Sequence, residues 1–209
     1  MRKVIIVEGK QDAVFVKALA PNVETRQIEI QQLSGAGKDA VKALEIALKR
    51  VKNDALFNPI EKIGILLDLD PADFTIKQKL AFVNQATEAT FGITLANVNT
   101  LHNISTPDFE TQIACHFISP NLDVLIKSIA ALPSPKADCL FACLEKDSTI
   151  SSNEKQKAWP LYYMRWDVCN EKDRENGLKN VTFTHTHTKG AWNLDSPVLN
   201  DLKVFLALF

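Results

Sequence analysis

Residues 63–70 read Ile-Gly-Ile-Leu-Leu-Asp-Leu-Asp, a continuous apolar run that ends in two carboxylates. Such a run is typical of a central strand in a parallel sheet, because helices cover both faces of that strand. Residues i and i+2 of an extended chain point the same way, so Asp68 and Asp70 can aim at one point. Open α/β sheets keep their ligand sites outside the carboxyl ends of the strands. The stretch therefore predicts a buried strand with an acidic site at its end.

A second stretch near the amino terminus follows the same pattern. Residues 4–10 read Val-Ile-Ile-Val-Glu-Gly-Lys, so that Glu8 ends another short apolar strand. If the two strands are neighbours, Glu8, Asp68 and Asp70 gather at one edge of the sheet. Clustered carboxylates repel one another, and a cation is the partner that relieves the repulsion. We expect Mg²⁺ or Mn²⁺ at this position, bound by these three acids.

Hydrophobic periodicity extends the prediction to the whole chain. Strands and helices alternate up to residue 104, which indicates a mainly parallel α/β sheet flanked by helices. The alternating residues 26–33 predict a strand at or near a sheet edge. We expect one domain over 1–209, with an α/β core at 1–104 and a mostly helical layer at 105–209. The expected strands are 4–7, 26–33, 63–70 and 97–104; the expected helices lie within 11–19, 40–51, 76–87, 107–118, 122–132, 137–146 and 161–169 and after Ser196; and 149–157 is expected to be a loop.

The totals limit the classes of protein that fit. Lys and Arg number 24 against 25 Asp and Glu, a net charge of −1, so nucleic-acid binding would need a local basic patch. The start of the chain carries no signal-peptide pattern, and no apolar run is long enough to span a membrane. Four cysteines without a Cys-x-x-Cys pair favour free thiols in a reducing compartment. We expect a cytoplasmic protein with no membrane association.

The order of these motifs resembles the TOPRIM domain, which topoisomerases, primases, recombination proteins and OLD-family nucleases share. The matching residues are 4–10 and 63–70, with the glycine turn 35–38 between them. The resemblance implies a Rossmann-like fold and Mg²⁺-dependent cutting or joining of phosphodiester bonds, with Glu8, Asp68 and Asp70 as the acids. The nearest resemblance is to small stand-alone bacterial TOPRIM-like proteins of unassigned function, through Pro-Asp-Phe-Glu at 107–110 and the tail 191–197.

The chain departs from the larger members of that family. Asp73 stands where topoisomerases and primases continue with glycine, and the chain is too short for a topoisomerase's other domains. The resemblance therefore implies a nuclease or a nuclease subunit acting on nucleic acid. OLD nucleases join this domain to an ATPase; the chain has no intact P-loop, and an ATPase partner in trans is one expectation.

Two other functions fit the same residues. A non-catalytic binding or regulatory protein could keep the fold and the metal, and the near-neutral charge favours it. A phosphatase of the haloacid dehalogenase type would use Asp68 as nucleophile, although Ala72 replaces the Thr or Val of that motif and the motif normally follows the first strand.

Four further residues are second-tier candidates for the site. Lys10 is the first of them. Lys38 and the amides of the turn before it could hold a phosphate oxygen, although a tight turn that starts a helix is the favoured explanation of that turn. Asp73 could cap a helix instead of binding metal. Glu110 could be a first-turn acid that the helix dipole stabilises.

The second half contains two more patterns with a structural and a functional interpretation. Cys139 and Cys143, one helical turn apart, could form a zinc site with His185 and His187; the alternative is core cysteines and a strand with both histidines on one exposed face. The aromatic residues Trp159, Tyr162, Tyr163 and Trp166 could stack on bases, but their helical spacing favours a place in the core.

Overall fold

The computed structural model describes residues 1–20, 22–33, 40–70, 74–107, 110–175 and 181–209. These residues form two compact units. The first unit contains Met1–Pro120 together with Asn200–Phe209, and the second contains Asn121–Leu199. Within the described ranges, none of the helices combines the length and the apolar character needed to cross a membrane.

The first unit is built on a five-stranded sheet, as far as the described residues show, with the strand order β2-β1-β3-β5-β4. Neighbouring pairs among the first four of these strands are parallel, and β4 is antiparallel to β5. Helices flank this sheet, so the predicted α/β class with a mainly parallel, Rossmann-like sheet is confirmed. The strands are β1 (Arg2–Val7), β2 (Ile28–Gln32), β3 (Ile60–Asp68), β4 (His102–Ser105) and β5 (Glu110–Ile118), and the first helices are α1 (Lys10–Leu19), α2 (Ala40–Ala55) and α3 (Ile76–Phe91).

Two strand predictions are confirmed and two elements need correction. β3 is central and β2 is an edge strand. The continuous apolar run of the first and the alternating polarity of the second predict these positions. Residues 107–118 were expected to be helical, but β5 occupies 110–118 and pairs with β3. The expected strand at 97–104 is shorter, begins at His102, and runs antiparallel at the other edge. The apolar run 113–118 explains the first error, because short apolar runs suit a buried strand and a buried helix equally well.

The two faces of the sheet bury alternate residues of the same strands. Val4, Ile6, Ile63 and Ile65 point to the face covered by α2 and α3. Gly64 belongs to the opposite face, which the last helix α9 (Asn200–Ala207) covers. This alternation is the period-2 pattern of strands buried on both sides.

Gly64 permits a close approach between β3 and the end of the chain. A Cβ atom built on Gly64 would lie 2.9 Å from Phe209 Cζ and 3.2 Å from Phe205 Cζ. Basic side chains anchor the same end: Lys3 Nζ donates to the Phe209 carbonyl at 2.6 Å, and Lys62 Nζ donates to the Leu208 carbonyl at 2.7 Å. The missing side chain in the central strand is therefore a packing requirement.

His116 on β5 is a buried histidine on the face that α9 covers. Its ring stacks on Phe205 with centroids 5.6 Å apart, and its Nδ1 lies 2.8 Å from Asn99 Oδ1, so that Nδ1 carries a proton and donates. Burial lowers the pKa of His116 to about 4, and the nearby Asp201 carboxylate opposes the shift only in part. The imidazole is therefore neutral at physiological pH.

The second unit is helical and includes a cluster of stacked aromatic rings. Trp159 stacks on Tyr163 at 5.0 Å, Tyr163 meets Trp192 edge-on at 5.0 Å, and Trp192 stacks on Phe183 at 5.1 Å. Trp159 and Tyr163 are almost fully buried, which confirms the core interpretation for these two. It is wrong for Trp166, which is 37% exposed, and Tyr162 is only partly buried. The segments are α4 (Leu122–Ser128), α5 (Pro135–Glu145), α6 (Ser152–Tyr162), a π-helical segment (Tyr163–Val168), α7 (Glu171–Glu175), α8 (Phe183–His187) and a 3₁₀ turn (Pro197–Leu199).

Two predictions for the second unit are wrong in detail. Residues 149–157 were expected to form a loop, but α6 begins at Ser152 with Ser151 and Glu154 forming a reciprocal capping box. His185 and His187 were expected on a strand, but they lie in α8, which Thr182 caps by accepting from the His185 N–H. Both helices begin with a side chain that caps the first turn. These caps favour a helix more strongly than the polar composition of 149–157 favours a loop or the alternation at His185 and His187 favours a strand.

Replacing Gly64 should test the contact with the last helix. Gly64→Val places branched carbon atoms where Phe205 and Phe209 lie, so we expect a loss of about 1–3 kcal/mol in unfolding free energy. Phe209→Leu should destabilise the wild-type chain but cost less in the Gly64→Val background, because the shorter side chain frees space. Urea unfolding of the four proteins measures this coupling, and strictly additive losses would contradict the proposed contact.

The buried His116 should make stability depend on pH. The unfolded chain takes up a proton near pH 6.5 and the folded chain only near pH 4, so folding stability is complete above the first value and is lost as pH falls towards the second. Between about pH 7.5 and pH 5, wild type should lose about 2 kcal/mol more unfolding free energy than His116→Asn, whose amide cannot titrate. Parallel pH curves for the two proteins would show that burial does not lower this pKa.

Candidate metal centre

The acidic residues lie where the order of the sheet reverses. The chain passes from β1 outward to β2 and then returns to the other side of β1 as β3. Such a reversal leaves a crevice outside the carboxyl ends of the two strands, which is where open α/β sheets bind ligands. Glu8 directly follows β1, and Asp68 ends β3. The topology therefore brings both acids to the same crevice.

Glu8 and Asp68 are in direct contact. The Asp68 N–H donates to Glu8 Oε2 at 3.3 Å, so the Glu8 side chain reaches across to the end of β3. The pairing of β3 with β5 continues to Leu69, whose N–H donates to the Ile118 carbonyl at 2.8 Å. Leu69 is buried, whereas Asp68 and Asp70 on either side of it are half-buried. Among the described residues, Glu8, Asp68 and Asp70 are not a group whose ligand atoms all lie within 4.8 Å of one another. The structure therefore brings Glu8 to the end of β3 but does not gather the three carboxylates at one point, and their shared direction stays a prediction.

A lysine that sequence analysis did not identify lies beside Asp70. Lys79 on α3 is only 8% exposed, and its Nζ lies 3.4 Å from the Asp70 carbonyl oxygen and 5.2 Å from the centre of the Phe82 ring. The sequence does contain a pattern that points to Lys79: it lies four residues before Val83, and so on the apolar face of the predicted helix. A lysine on a buried helix face indicates a specific acceptor.

The beginning of α1 contains a second residue that sequence analysis missed, the acid Asp12. Asp12 is 7% exposed, and its Oδ2 accepts from the Gly9 N–H at 2.9 Å. A Cβ on Gly9 would lie 3.3 Å from that oxygen, so a small residue suits this turn. The contact fixes the chain immediately after Glu8. Lys10 begins α1 and is exposed, which leaves its ammonium accessible at the same end of the unit.

Of the other second-tier candidates, Glu110 is the one among the described residues. Lys38 and Asp73 lie outside the described residues, so their predictions stay untested. Glu110 is the first residue of β5, which runs parallel to β3. It therefore lies at the amino ends of the strands, whereas Asp68 lies at their carboxyl ends. It is a strand residue and not a helix-start acid. Glu110 and Glu61 line a cavity of about 450 Å³ at the amino ends of the strands.

The chemistry of the donor set fits Mg²⁺. The ion prefers hard oxygen ligands, takes one or two carboxylates directly, and keeps several waters. Half-buried carboxylates at an open edge meet these requirements, since they offer oxygens and leave room for water. A deep pocket is not required for such an ion, so the position of the cavity at the other edge does not weigh against this site.

The fold and the acids together define an α/β protein with a Rossmann-like sheet and an acidic group at its switch point. The chain belongs to the family described as "Protein of unknown function (DUF3226)", which it matches over residues 2–209. None of the curated proteins and none of the solved structures matches the chain.

Neutralising Asp68 should separate a metal site from an acidic edge without metal. Wild type should melt at a higher temperature with added Mg²⁺ or Mn²⁺, since an ion held only by the folded form contributes about 2.7 kcal/mol at a concentration 100 times its Kd. Asp68→Asn should respond much less, and without metal it should be more stable by about 0.5–1 kcal/mol because one repelling charge is gone. Thermal melts at matched ionic strength measure both effects.

Glu61→Gln is the matched control, because Glu61 lies at the other end of the same strand. This variant should respond to the metal as wild type does. Equal metal responses in Asp68→Asn and wild type would show that Asp68 is not a ligand.

Proposed function

We propose that the protein carries out Mg²⁺- or Mn²⁺-dependent phosphodiester chemistry on nucleic acid, as a TOPRIM-type nuclease or a subunit of one. The observation that carries the proposal is the contact of Glu8 with the end of β3, at 3.3 Å from the Asp68 nitrogen. Two further features support it: both acids flank the switch point of the sheet, and the motif order resembles that of TOPRIM domains. Glu8, Asp68 and Asp70 are the proposed metal-binding and catalytic residues.

The residues at this edge suit hydrolysis of a phosphodiester. Mg²⁺, when bound, supplies positive charge for the phosphate and lowers the pKa of a coordinated water. Asp68 and Asp70 are the proposed ligands, and Glu8 is either a third ligand or the base that takes the proton of the attacking water. The water oxygen forms a bond to phosphorus, the bond to the leaving oxygen breaks, and that oxygen takes a proton from solvent. Lys10, which is exposed, is the proposed contact for a phosphate oxygen.

The charge of the chain and the resemblance to TOPRIM domains indicate which partners the protein would need. With a net charge of −1, the protein has no general attraction for a polyanion, so binding would depend on a few local lysines or on a second protein. An ATPase supplied in trans is the partner that the resemblance implies. We propose the cytoplasm as the site of this activity, because nucleic acid is present there and cysteines stay reduced; among the described residues, the four cysteines form no disulfide bond.

A regulatory binding protein is the second candidate. The observation that favours it is the balance of charge, because a nuclease acting alone on DNA or RNA usually presents a basic surface. In that case Glu8, Asp68 and Asp70 would still bind the ion and a phosphate-bearing ligand, but no bond would be cleaved.

Cleavage assays on the purified protein test the proposal. Supercoiled DNA, single-stranded DNA and RNA should be nicked with Mn²⁺ or Mg²⁺, and Glu8→Gln, Asp68→Asn and Asp70→Asn should each reduce the rate about 100-fold or more, since each removes several kcal/mol of transition-state stabilisation. If Glu8 is the base, Glu8→Gln should lose cleavage but keep the rise in melting temperature with metal. Binding to nucleic acid should weaken as salt increases.

Glu61→Gln and Glu110→Gln are the controls, because both acids lie at the opposite edge of the sheet. They should cleave as wild type does. Cleavage that is lost in the site variants and kept in these controls cannot come from a contaminating nuclease, which would be present in all the preparations. A protein that binds a divalent ion but neither polymer, alone or with the proteins encoded beside it, would favour the regulatory function.

A further inference from the structure

A second group of metal-ligating side chains lies in the helical unit. The Cys169 sulfur, a carboxylate oxygen of Asp173 and a ring nitrogen of His185 all lie within 4.8 Å of one another. The sequence prediction of zinc ligands at Cys139, Cys143, His185 and His187 did not include this combination. Cys139 and Cys143 are exposed on α5, whereas Cys169 is 3% exposed.

Each member of the group is held by its own backbone. Cys169 directly follows the π-helical segment, and its N–H donates to the Met164 carbonyl at 3.0 Å. Asn170 and Asp173 bond reciprocally, the side chain of each accepting from the N–H of the other at 2.9 Å. His185 is fixed by the cap of α8. Three separate segments therefore present one donor atom each to the same small volume.

The distance between nitrogen and oxygen matches a tetrahedral ion. His185 Nε2 lies 3.2 Å from Asp173 Oδ1. Metal bonds of about 2.0–2.1 Å at a tetrahedral angle separate two such atoms by roughly 3.3 Å. An ion can therefore replace the hydrogen bond between Asp173 and His185 with little movement of either side chain, provided that the His185 proton shifts to Nδ1.

The surrounding charges also suit a ligand carboxylate. Lys189 Nζ forms an ion pair with the other oxygen, Asp173 Oδ2, and Arg174 Nη1 donates to the Cys169 carbonyl at 2.6 Å. Metal-binding carboxylates commonly have such an outer partner, which fixes their orientation. Lys189 also balances the carboxylate when metal is absent, so the unit does not depend on an ion to bury an uncompensated charge.

We propose that Cys169, Asp173 and His185 bind one Zn²⁺ ion, with water as the fourth ligand. The thiolate and imidazole select a borderline-soft ion such as Zn²⁺ over Mg²⁺, which prefers oxygen. On binding, the Cys169 thiol releases its proton to solvent and the sulfur bonds to the metal. The ion links the end of the π-helical segment to α7 and α8, and it stabilises the helical unit.

Titration with Co²⁺ tests this site in the full-length chain. Co²⁺ is a spectroscopic substitute for Zn²⁺, so the metal-free protein should bind one equivalent and show a thiolate-to-cobalt charge-transfer band with tetrahedral visible bands. Zn²⁺ should abolish these bands by displacement, and excess Mg²⁺ should not. Zn²⁺ should also raise the melting temperature. Cys169→Ser should remove the charge-transfer band, and His185→Gln should weaken Co²⁺ binding about 100-fold.

The double variant Cys139→Ser/Cys143→Ser is the matched background. It keeps Cys169 and the buried Cys115, and we expect its spectrum to equal that of wild type. Asp68→Asn should also keep the bands, which separates this site from the proposed nuclease site. Circular dichroism checks that each variant folds; if Cys169→Ser does not fold, His185→Gln carries the test. Failure of wild type to show the bands, their loss in the double variant, persistence of the charge-transfer band in a folded Cys169→Ser, or an unchanged affinity for Co²⁺ in a folded His185→Gln would overturn the proposal.

Discussion

The pairing of β1 with β3 is the constraint on which the candidate metal centre depends. The register places Val7 beside Leu66, so Glu8 and the end of β3 emerge at the same level of the sheet. A slip of one residue would move every apolar side chain of a strand to the other face. The core therefore fixes the register, and the position of Glu8 against Asp68 follows from the same hydrophobic packing that stabilises the fold.

The parts of the fold that the sequence predicts well are those in which one local pattern has one explanation. β1 and β3 are continuous apolar runs bounded by acids, and burial on both faces explains such runs better than any exposed element does. The alternation in β2 is equally direct, because in a parallel sheet covered by helices a strand with one polar face fits an edge position, which β2 occupies. The three candidate acids follow from the same pattern, because a strand that is buried throughout has carboxylates only where it ends; their role in binding an ion stays a prediction.

The parts that the sequence did not predict depend on contacts between distant residues. The nine residues of β5 become a strand because β3 offers an unpaired edge, and nothing within the segment itself shows that edge. Lys79 and Asp12 were missed because each contacts a backbone atom, which no sequence motif shows. Lys79 lies beside the Asp70 carbonyl, and Asp12 accepts from the Gly9 N–H. The group of Cys169, Asp173 and His185 was missed because its members share no spacing that a known zinc signature contains.

The two candidate centres differ in donor chemistry, and this difference favours a different ion at each of them. Glu8, Asp68 and Asp70 offer oxygens at an open edge, so water can complete the shell of a hard ion that dehydrates reluctantly. The site in the helical unit combines oxygen and nitrogen with a buried sulfur, and a thiolate has little affinity for Mg²⁺. Mg²⁺ therefore does not compete for Cys169, although it is abundant. Zn²⁺ is scarce and binds thiolates well, so it should bind in the helical unit before it binds at the three acids. A protein that uses one ion for phosphate chemistry and another for stability needs this separation of donors.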